Sequence, residues 1–385
     1  MFRLACIATL LALAPFGLVH PAAAEPENIE DTFAQMRSNI IMALVKKDVD
    51  QLEEWSKTYR TTRSRGPDGY WHLHYFHRIL AELPVSKDRM DSIEGWEELI
   101  KLWKLSHPAS PTPNVVLAGR YFAQAWAARG SGFANSVSDD AWKAFRENLD
   151  KSRMVLLEAQ PGADVDPEWY ARMAQIGLGL GDRRSRFMAV IEEGMKREPT
   201  YYKLYNVAFL YLLPKWHGSA EDAEAWARTA AERTRETEGN SIYARIYASH
   251  LREEDAQSVI RNFTIDWPRM KRGINELLTG YTEPEMAMRL LRLSCAAKDA
   301  EQVTSIWKQL GAKLAAYRDA PIDVGKTCGW QPASTAQPQP KSKPETDAET
   351  GDLQYAAART RPVYLELTGR VGQVNASLGN HSVDT

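Results

Sequence analysis

The sequence predicts an all-α fold of stacked helical hairpins, an α-solenoid in which each hairpin packs against the next. Apolar residues recur at intervals of three and four along most of the chain, which is the spacing of amphipathic helices. No sustained alternation of apolar and polar residues, the pattern of a β-strand, occurs before residue 330. The helical pattern also restarts at a regular interval in the middle of the chain, as stacked repeats require.

The restart lies in the stretch 166–248. Asp166 can cap a helix that has Pro167 at its first position, where the missing N–H removes no helical hydrogen bond. A second helix closes before Pro199, because the residue preceding a proline disfavours the helical backbone. The two prolines lie 32 residues apart, close to the roughly 34-residue period of tetratricopeptide repeats. We therefore expect tetratricopeptide-like (TPR-like) helical pairs in this stretch.

Local signals mark where these helices end and begin. Gly177, Gly179 and Gly181 are expected to end the first helix, because glycine weakens a helix interior and favours its C-terminal cap. Ser219 and Asp222 have the spacing of a capping box and are expected to begin the partner helix of the next pair.

Helical spacing continues on both sides of the repeats. Before them, Ser136 and Asp139 form a further capping-box pattern, and the Gly, Pro and Asp content of 63–69 predicts a loop. The other segments with helical spacing are 29–61, 70–83, 96–105, 116–129, 241–247, 267–277, 284–297 and 300–317. Five tryptophans on apolar helical stripes are expected in the core: Trp103, Trp126, Trp142, Trp169 and Trp226.

The first 24 residues (1–24) are typical of a secretory signal peptide. Arg3 supplies the positive start, residues 4–19 the short apolar core, and Ala24 the end of a small-residue cleavage site. The apolar core is too short for a comfortable membrane span, and no later stretch is long and apolar enough to cross a bilayer. The sequence therefore predicts a periplasmic or secreted protein whose signal is cleaved.

Composition divides the remaining chain into three segments. Residues 25–89 are predicted to form N-terminal helices, and residues 90–330 the helical-repeat domain. From residue 331 the chain is rich in Pro, Gln, Ser, Thr and charged residues, with no apolar run to pack. We expect 331–385 to be a disordered tail, because such a segment cannot bury enough apolar area to offset its conformational entropy.

Charge and motif content argue against two kinds of partner. Removal of the signal takes Arg3 from 48 basic side chains and leaves all 50 acidic ones, so the mature chain has no electrostatic preference for nucleic acid. The glycine run at 177–181 follows a predicted helix rather than a strand, and its spacing does not fit a dinucleotide-binding loop. We therefore predict no nucleic-acid partner and no cofactor.

Two cysteines, Cys295 and Cys328, remain after the signal is removed. An even number of cysteines in an exported chain favours a disulfide. Cys295 lies late in one predicted helix and Cys328 soon after the next, so an antiparallel hairpin would bring them together. The alternative, one thiol acting as a nucleophile, lacks a nearby Cys–His signature.

Seven short motifs carry a resemblance to a known family. They are AWAARGSGFA (125–134), VSDDAWKAF (137–145), DPEWY (166–170), LLPKWHGS (212–219), YARIY (243–247), DWPRMKRG (266–273) and SCAAKD (294–299). In order and spacing they resemble a bacterial family of exported helical-repeat, tetratricopeptide-like proteins known only as a domain of unknown function. The resemblance covers roughly residues 90–330 and implies the fold and the export, with no activity to carry over.

Trp216, His217 and Arg245 are the candidate residues for contact with a ligand or partner. Trp216 lies in a turn bounded by Pro214 and Gly218, away from the apolar stripes, and is expected to face outward. His217 has the chemistry of a general base, but no nucleophile or carboxylate motif accompanies it. For Arg245 a buried ion pair between helices is favoured, and an anion-binding role is the alternative. The sequence thus predicts no catalytic residue.

Three histidines, His72, His74 and His77, raise the question of a metal site. On a helix, His72 and His74 point about 200° apart, and no Asp or Glu stands at a matching helical spacing among the three. Because metal ligands must converge on one point, we predict no metal site and expect a packed aromatic face instead.

Together these observations predict a scaffold that binds a protein or peptide partner of the cell envelope on its concave surface, as solenoids commonly do. Two alternatives stay open. One is a hydrolase that acts on a cell-envelope polymer in a cleft near Trp216 and His217, and the other is a glycan- or peptide-binding module. Titratable groups that converge in one cleft with a nucleophile or a metal would favour the enzyme, and their absence would favour the scaffold.

Overall fold

The computed structural model describes residues 29–83, 93–132, 134–160, 162–251, 255–318 and 324–329. Within these ranges the chain is helical and forms no strand beyond one isolated bridge between Arg65 and Trp71. The all-α prediction is therefore confirmed, whereas the solenoid arrangement stays a prediction. The predicted signal, 1–24, and the predicted tail, 331–385, lie outside the described residues.

The α-helices of the described ranges are α1 (Ile29–Lys46), α2 (Val49–Thr62), α3 (His72–Glu82), α4 (Ile93–Ser106), α5 (Thr112–Arg129), α6 (Asp139–Glu158), α7 (Pro167–Leu180), α8 (Arg184–Arg197), α9 (Tyr202–Tyr211), α10 (Ala220–Arg233), α11 (Arg235–Glu238), α12 (Ser241–His250), α13 (Ala256–Asn262), α14 (Trp267–Gly280), α15 (Pro284–Ala296), α16 (Ala300–Arg318) and α17 (Val324–Cys328). Short 3₁₀ turns cover Ala134–Ser136 and Ala163–Val165. None of these helices is long and apolar enough to cross a membrane.

Helix α7 is buried along almost its whole length. Every residue from Pro167 to Leu178 is buried, and the helix contacts α3, α5, α6, α8 and α9. It starts as the sequence predicts, because the side chain of Asp166 accepts a hydrogen bond from the backbone N–H of Glu168 (3.0 Å). Any polar side chain on α7 must therefore find its partners inside the protein.

The prediction that three glycines end α7 is wrong for Gly177 and Gly179 and correct for Gly181. The helix continues through Gly177 and Gly179 and ends at Gly181, which takes the left-handed backbone conformation (φ 72°). Gly179 serves the packing of α7 against α6, since a Cβ atom there would lie 2.7 Å from Cδ1 of Leu149. A glycine thus stands where two helices approach closely rather than where a helix stops.

Ser219 caps α10 as predicted, whereas the earlier predicted cap, Ser136, is wrong. The Ser219 hydroxyl accepts a hydrogen bond from the backbone N–H of Asp222 (3.1 Å) at the start of α10. Helix α6 is capped by Ser138, whose hydroxyl accepts from Ala141 N (3.3 Å), whereas Ser136 ends a 3₁₀ turn. The helix therefore begins at the serine directly before the two aspartates.

The apolar core of the described residues has two parts. The larger part extends from Trp71 to Val324, and the smaller one joins α1–α4 with Val116 of α5. The predicted domain boundary at residue 90 stays a prediction. Four of the five tryptophans expected in the core are buried there: Trp103, Trp126, Trp169 and Trp226.

Trp142 differs from the other four, because it is only half-buried. One edge of its ring packs against Phe145, with ring centroids 5.6 Å apart, and the guanidinium of Arg129 lies over its face at 5.2 Å. The helical stripe predicted its direction correctly, but the surface of α6 leaves one side of the indole uncovered.

Cys295 and Cys328 form the predicted disulfide. Their Cα atoms lie 4.7 Å apart, within the usual range for a disulfide, and the bond ties the short helix α17 to α15.

Candidate functional site

A cavity of about 230 Å³ lies between α3, α5, α7, α9 and α12. One part of its wall is charged and another part is aromatic. This division follows from the residues that each helix turns toward the cavity.

The charged end consists of two rows of side chains at one-turn spacing. Residues three or four apart lie on the same face of a helix, so each row points into the same space. The two rows are His74, Arg78 and Glu82 on α3, and Glu168, Arg172 and Gln175 on α7.

Both arginines at this end are paired with carboxylates of their own helix. Arg78 Nε lies 2.9 Å from Glu82 Oε1, and Arg172 Nη2 lies 3.2 Å from Glu168 Oε1. The second oxygen of Glu168 accepts a hydrogen bond from the hydroxyl of Tyr201 (2.6 Å). Glu168 is therefore held on both oxygens, and it is poorly placed to act as a free base.

Burial and neighbouring charges set the protonation of this end. Burial raises the pKa of Glu168, but the interactions with His74 and Arg172 outweigh burial and bring the pKa well below its usual range. His74 Nδ1 lies 3.5 Å from Glu168 Oε2, and burial lowers the pKa of His74 even though Glu168 raises it. At neutral pH the pair therefore consists of a carboxylate and a neutral imidazole.

Lys203 of α9 is the remaining cation of the charged end. Its side chain lines the cavity, and within the part of the chain that the structure describes it makes no hydrogen bond and no ion pair. Burial lowers the pKa of Lys203 to about 8; Glu168 raises it, while Arg172 and Arg78 lower it. The ammonium group is thus charged at neutral pH without a bonded counter-charge, which is costly in a partly desolvated place.

The other end of the cavity is aromatic. The rings of Trp126 and Trp216 meet edge to face with centroids 6.4 Å apart, and Phe209 meets His250 at 5.5 Å. Burial lowers the pKa of His250 to about 3, so this imidazole is neutral and adds no charge at neutral pH. This end suits an apolar group.

Several polar atoms of residues that line the cavity lack a hydrogen-bond partner within the described ranges. Among them are the indole nitrogens of Trp126 and Trp216, Oε1 of Gln175, Oδ1 of Asn206 and Oε2 of Glu82. A buried polar atom without a partner costs roughly 1–3 kcal/mol, so a group that supplies partners would be favoured here.

A second buried network fixes the two charged rows relative to each other. Asp166 Oδ2 lies 3.1 Å from His77 Nε2 of α3 and 3.1 Å from Arg60 Nη1 of α2. The same Arg60 nitrogen donates to the hydroxyl of Thr112 (3.1 Å) at the start of α5. These contacts join α2, α3, α5 and the start of α7 behind the cavity wall.

Two of the three residues predicted from the sequence lie at or beside this cavity. Trp216 lines it and is half-buried, so its ring faces inward at the aromatic end rather than outward. His217 is exposed, with Nε2 3.3 Å from the carbonyl oxygen of Leu178 and its ring centroid 4.6 Å from that of Tyr211. No carboxylate contacts His217 in the described chain.

Arg245 is fully buried, and its guanidinium lies among tyrosine rings. Its Cζ atom is 4.2 Å from the ring centroid of Tyr202 and 4.8 Å from that of Tyr281, and it donates a hydrogen bond to the carbonyl oxygen of Asp68. These contacts support the structural role that the sequence favoured for Arg245. The expected ion pair is replaced by cation–π contacts and a hydrogen bond to a carbonyl oxygen.

The three histidines of α3 have three different partners. His72 Nδ1 lies 3.0 Å from the Ser64 hydroxyl, whereas His74 and His77 face the carboxylates of Glu168 and Asp166. Among the described residues, no group of three or more His, Cys, Asp or Glu side chains is placed to hold a metal ion.

The sequence-based reasoning did not identify the residues of the charged end. A signal was present: the four-residue spacing of His74 and Arg78 and of Glu168 and Arg172 sets polar groups on one face of otherwise apolar helices. The sequence does not show that these faces of α3 and α7 meet across one cavity.

The fold and the site define an all-α protein with a cavity that is charged at one end and aromatic at the other. Comparison of the chain with family models, with curated proteins and with solved structures gives no match.

Proposed function

We propose that the protein is a binding module for a small amphipathic molecule that lies in the central cavity. The observation that supports this proposal is the division of the wall into a charged end and an aromatic end, each with polar atoms that lack partners. A ligand with one polar group and an apolar body supplies the missing hydrogen bonds and also covers the aromatic surface.

Binding is favoured over catalysis by the way in which the charged groups are already used. Glu168 accepts from Arg172 through one oxygen and from Tyr201 through the other, so this carboxylate is not free to move a proton. Glu82 accepts from Arg78 through one oxygen. A volume of about 230 Å³ also suits a small molecule better than a segment of a cell-envelope polymer.

A thermal-shift screen of small amphipathic compounds tests this proposal. Leu210 lines the cavity and is half-buried, so Leu210→Trp fills the cavity, whereas Leu180→Trp adds the same volume at a half-buried site outside it. We expect compounds to raise the melting temperature of the wild type and of Leu180→Trp but not of Leu210→Trp. Equal shifts in Leu210→Trp would contradict the proposal.

A scaffold for a protein or peptide partner is the second candidate function. Ile41, Met42 and Val45 are exposed on α1 by 37%, 53% and 66%, respectively, which leaves an apolar strip on one side of that helix. The matching test is a pull-down from envelope extract with the wild type and with Met42→Asp. A partner lost from the variant would support the scaffold, and identical sets of captured proteins would contradict it.

A periplasmic or secreted location belongs to the same proposal. The Cys295–Cys328 bond is the support within the described residues, because disulfides persist mainly in oxidising compartments. Cell fractionation followed by the intact mass of the recovered protein tests the location, and a mature chain that still carries residues 1–24 would contradict it.

A further inference from the structure

We propose that the ligand of the central cavity carries a single carboxylate, which Lys203 binds while the apolar body reaches the tryptophans. This inference rests on the proposed binding function and names the chemical class of its ligand. It depends on three observations: the bonding of the cations, the charge around Lys203, and the size and shape of the cavity.

The first observation is that Lys203 differs from the other cations at its end of the cavity. Arg78 and Arg172 each form an ion pair with a glutamate four residues away, at 2.9 and 3.2 Å. The Lys203 ammonium has no such partner among the described residues, although it has three donors to offer. An incoming anion therefore finds one cation that is not already neutralised.

The second observation is the charge around Lys203. Three cations, Arg78, Arg172 and Lys203, stand against two carboxylates, Glu82 and Glu168. The adjacent His74 is neutral at neutral pH, because burial holds its pKa below the usual value. The group therefore carries one positive charge in excess, which one carboxylate balances and a doubly charged phosphate would exceed.

One further carboxylate lies on the cavity wall. Asp68 Oδ1 accepts hydrogen bonds from the backbone N–H of Tyr70 (3.0 Å) and from the hydroxyl of Tyr75. It is thus engaged with its own loop and with α3.

The third observation is the path between the two ends. The Arg172 guanidinium lies 4.7 Å from the ring centroid of Phe122, which meets Trp126 at 6.2 Å, and Trp126 meets Trp216. This aromatic wall leads from the charged end to the far end of a space of about 230 Å³. Such a space holds on the order of ten non-hydrogen atoms, which fits a short-chain or aromatic monocarboxylate.

Octanoate and octanamide are suitable probes, since they share size and shape and differ in charge. Ligand-observed NMR titration at pH 7 is expected to give octanoate at least tenfold tighter binding than octanamide. Lys203→Met should weaken octanoate at least tenfold and leave octanamide within about twofold. Lys196→Met, at an exposed position of α8, is the matched control and should change neither.

The wild type provides an independent measurement if Lys203→Met fails to fold. As pH rises from 7 to 9, Lys203 loses its proton, since burial sets its pKa at about 8. Octanoate affinity should therefore fall toward tenfold per pH unit above pH 8, while octanamide affinity stays constant. The groups that face Lys203 are His74, Arg78 and Glu82 of α3 and Glu168 and Arg172 of α7. The pKa values of His74 and Glu168 are both lowered, away from this interval.

The outcomes separate the inference from the function on which it rests. Equal affinities for octanoate and octanamide in the wild type, or octanoate binding that is insensitive to pH and to Lys203→Met, would refute the carboxylate inference while leaving small-molecule binding in place. Failure of both probes to bind at millimolar concentration would contradict the binding function itself.

Discussion

Asp166 and Glu168 lie two residues apart at the start of α7, and each carboxylate faces a different histidine of α3. Asp166 meets His77 at 3.1 Å, and Glu168 meets His74 at 3.5 Å. Burial raises the pKa of Asp166, but His77 and then Arg60 outweigh it, so the pKa is lowered. The same logic holds Glu168 ionised, and both carboxylates thereby stabilise the contact of α3 with α7 at neutral pH.

His250 provides a residue-scale prediction about pH. Burial lowers its pKa to about 3, whereas in the unfolded chain it is near the ordinary 6.5. Between these values the unfolded state binds one more proton than the folded state, so stability is fully present above about pH 6.5 and falls as pH decreases.

The expected size is a loss of up to about 1.4 kcal/mol of unfolding free energy per pH unit from this one group. Urea unfolding of the wild type and His250→Leu at pH 6.5, 5.5 and 4.5 measures it, and the variant should show the shallower dependence. Other groups titrate in both proteins, so the difference between the two slopes is the readout. Identical slopes would mean that His250 is protonated in the folded protein.

The sequence pointed to one residue of the cavity wall, Trp216, but not to Lys203. Trp216 was selected because it stands apart from the apolar stripes, and it does line the cavity. Lys203, by contrast, stands in a tyrosine-rich helix with nothing nearby in the sequence to mark it. Its significance comes from the charged groups that α3 and α7 place around it, and sequence order does not contain that information.

At the scale of elements, Gly179 controls how closely α6 and α7 approach. A Cβ atom at this position would lie 2.7 Å from Leu149 Cδ1 and 3.2 Å from Phe145 Cζ. We predict that Gly179→Val lowers the unfolding free energy by about 1–3 kcal/mol, the usual cost of overpacking a core.

A second helical glycine is the matched control. Gly280 at the end of α14 has nothing within 4 Å of an added Cβ, so Gly280→Ala should be neutral or stabilise by up to about 1 kcal/mol. Chemical denaturation of both variants measures the pair. If Gly179→Val were as stable as the wild type, the close contact of α6 with α7 would be wrong.

The disulfide makes a separate prediction about the end of the helical array. Cys295 and Cys328 are 33 residues apart, and a bond closing such a loop stabilises by about 3–4 kcal/mol in the chain-entropy description. Cys328→Ser and Cys295→Ser should therefore fold and lose the same amount of stability, since both remove one bond.

Reductant supplies the control for this prediction. Wild-type protein in reductant should unfold at the same denaturant concentration as the two variants, and reductant should leave the variants unchanged. If the wild type were insensitive to reductant and lost no stability on Cys328→Ser, the bond would contribute nothing to the fold.

The sequence predicts which segments are helical better than it predicts the residues at which the helices begin and end. Asp166 and Ser219 begin helices as expected, because a cap is a local hydrogen bond between near neighbours. Gly177 and Gly179 did not end α7, and at Gly179 tertiary packing on α6 favours a small residue inside the helix. Local signals thus fail where a contact distant in sequence decides the residue.

At the scale of the whole molecule, five helices that are far apart in the sequence line one amphipathic cavity. The all-α class follows from helical spacing alone, but the cavity depends on how α3, α5, α7, α9 and α12 are arranged around it. Four of these helices supply polar or charged groups, so no single segment of the sequence accounts for the charged and aromatic ends of the cavity. The proposed ligand site is for this reason a property of the assembled fold.

The indole N–H groups of the tryptophans test the central claim most directly. Trp126 and Trp216 line the cavity, and their indole nitrogens lack partners in the described chain. The indole nitrogens of Trp103 and Trp226 already donate to Glu53 (2.8 Å) and to the carbonyl oxygen of Tyr205 (3.0 Å), away from the cavity.

Titration of ¹⁵N-labelled protein with octanoate, followed by the indole N–H signals, is therefore the decisive measurement. The binding function predicts that the signals of Trp126 and Trp216 shift together and saturate, while those of Trp103 and Trp226 stay in place. Saturable shifts confined to Trp103 or Trp226, or no saturable shift at Trp126 and Trp216, would contradict the assignment of the central cavity as the ligand site.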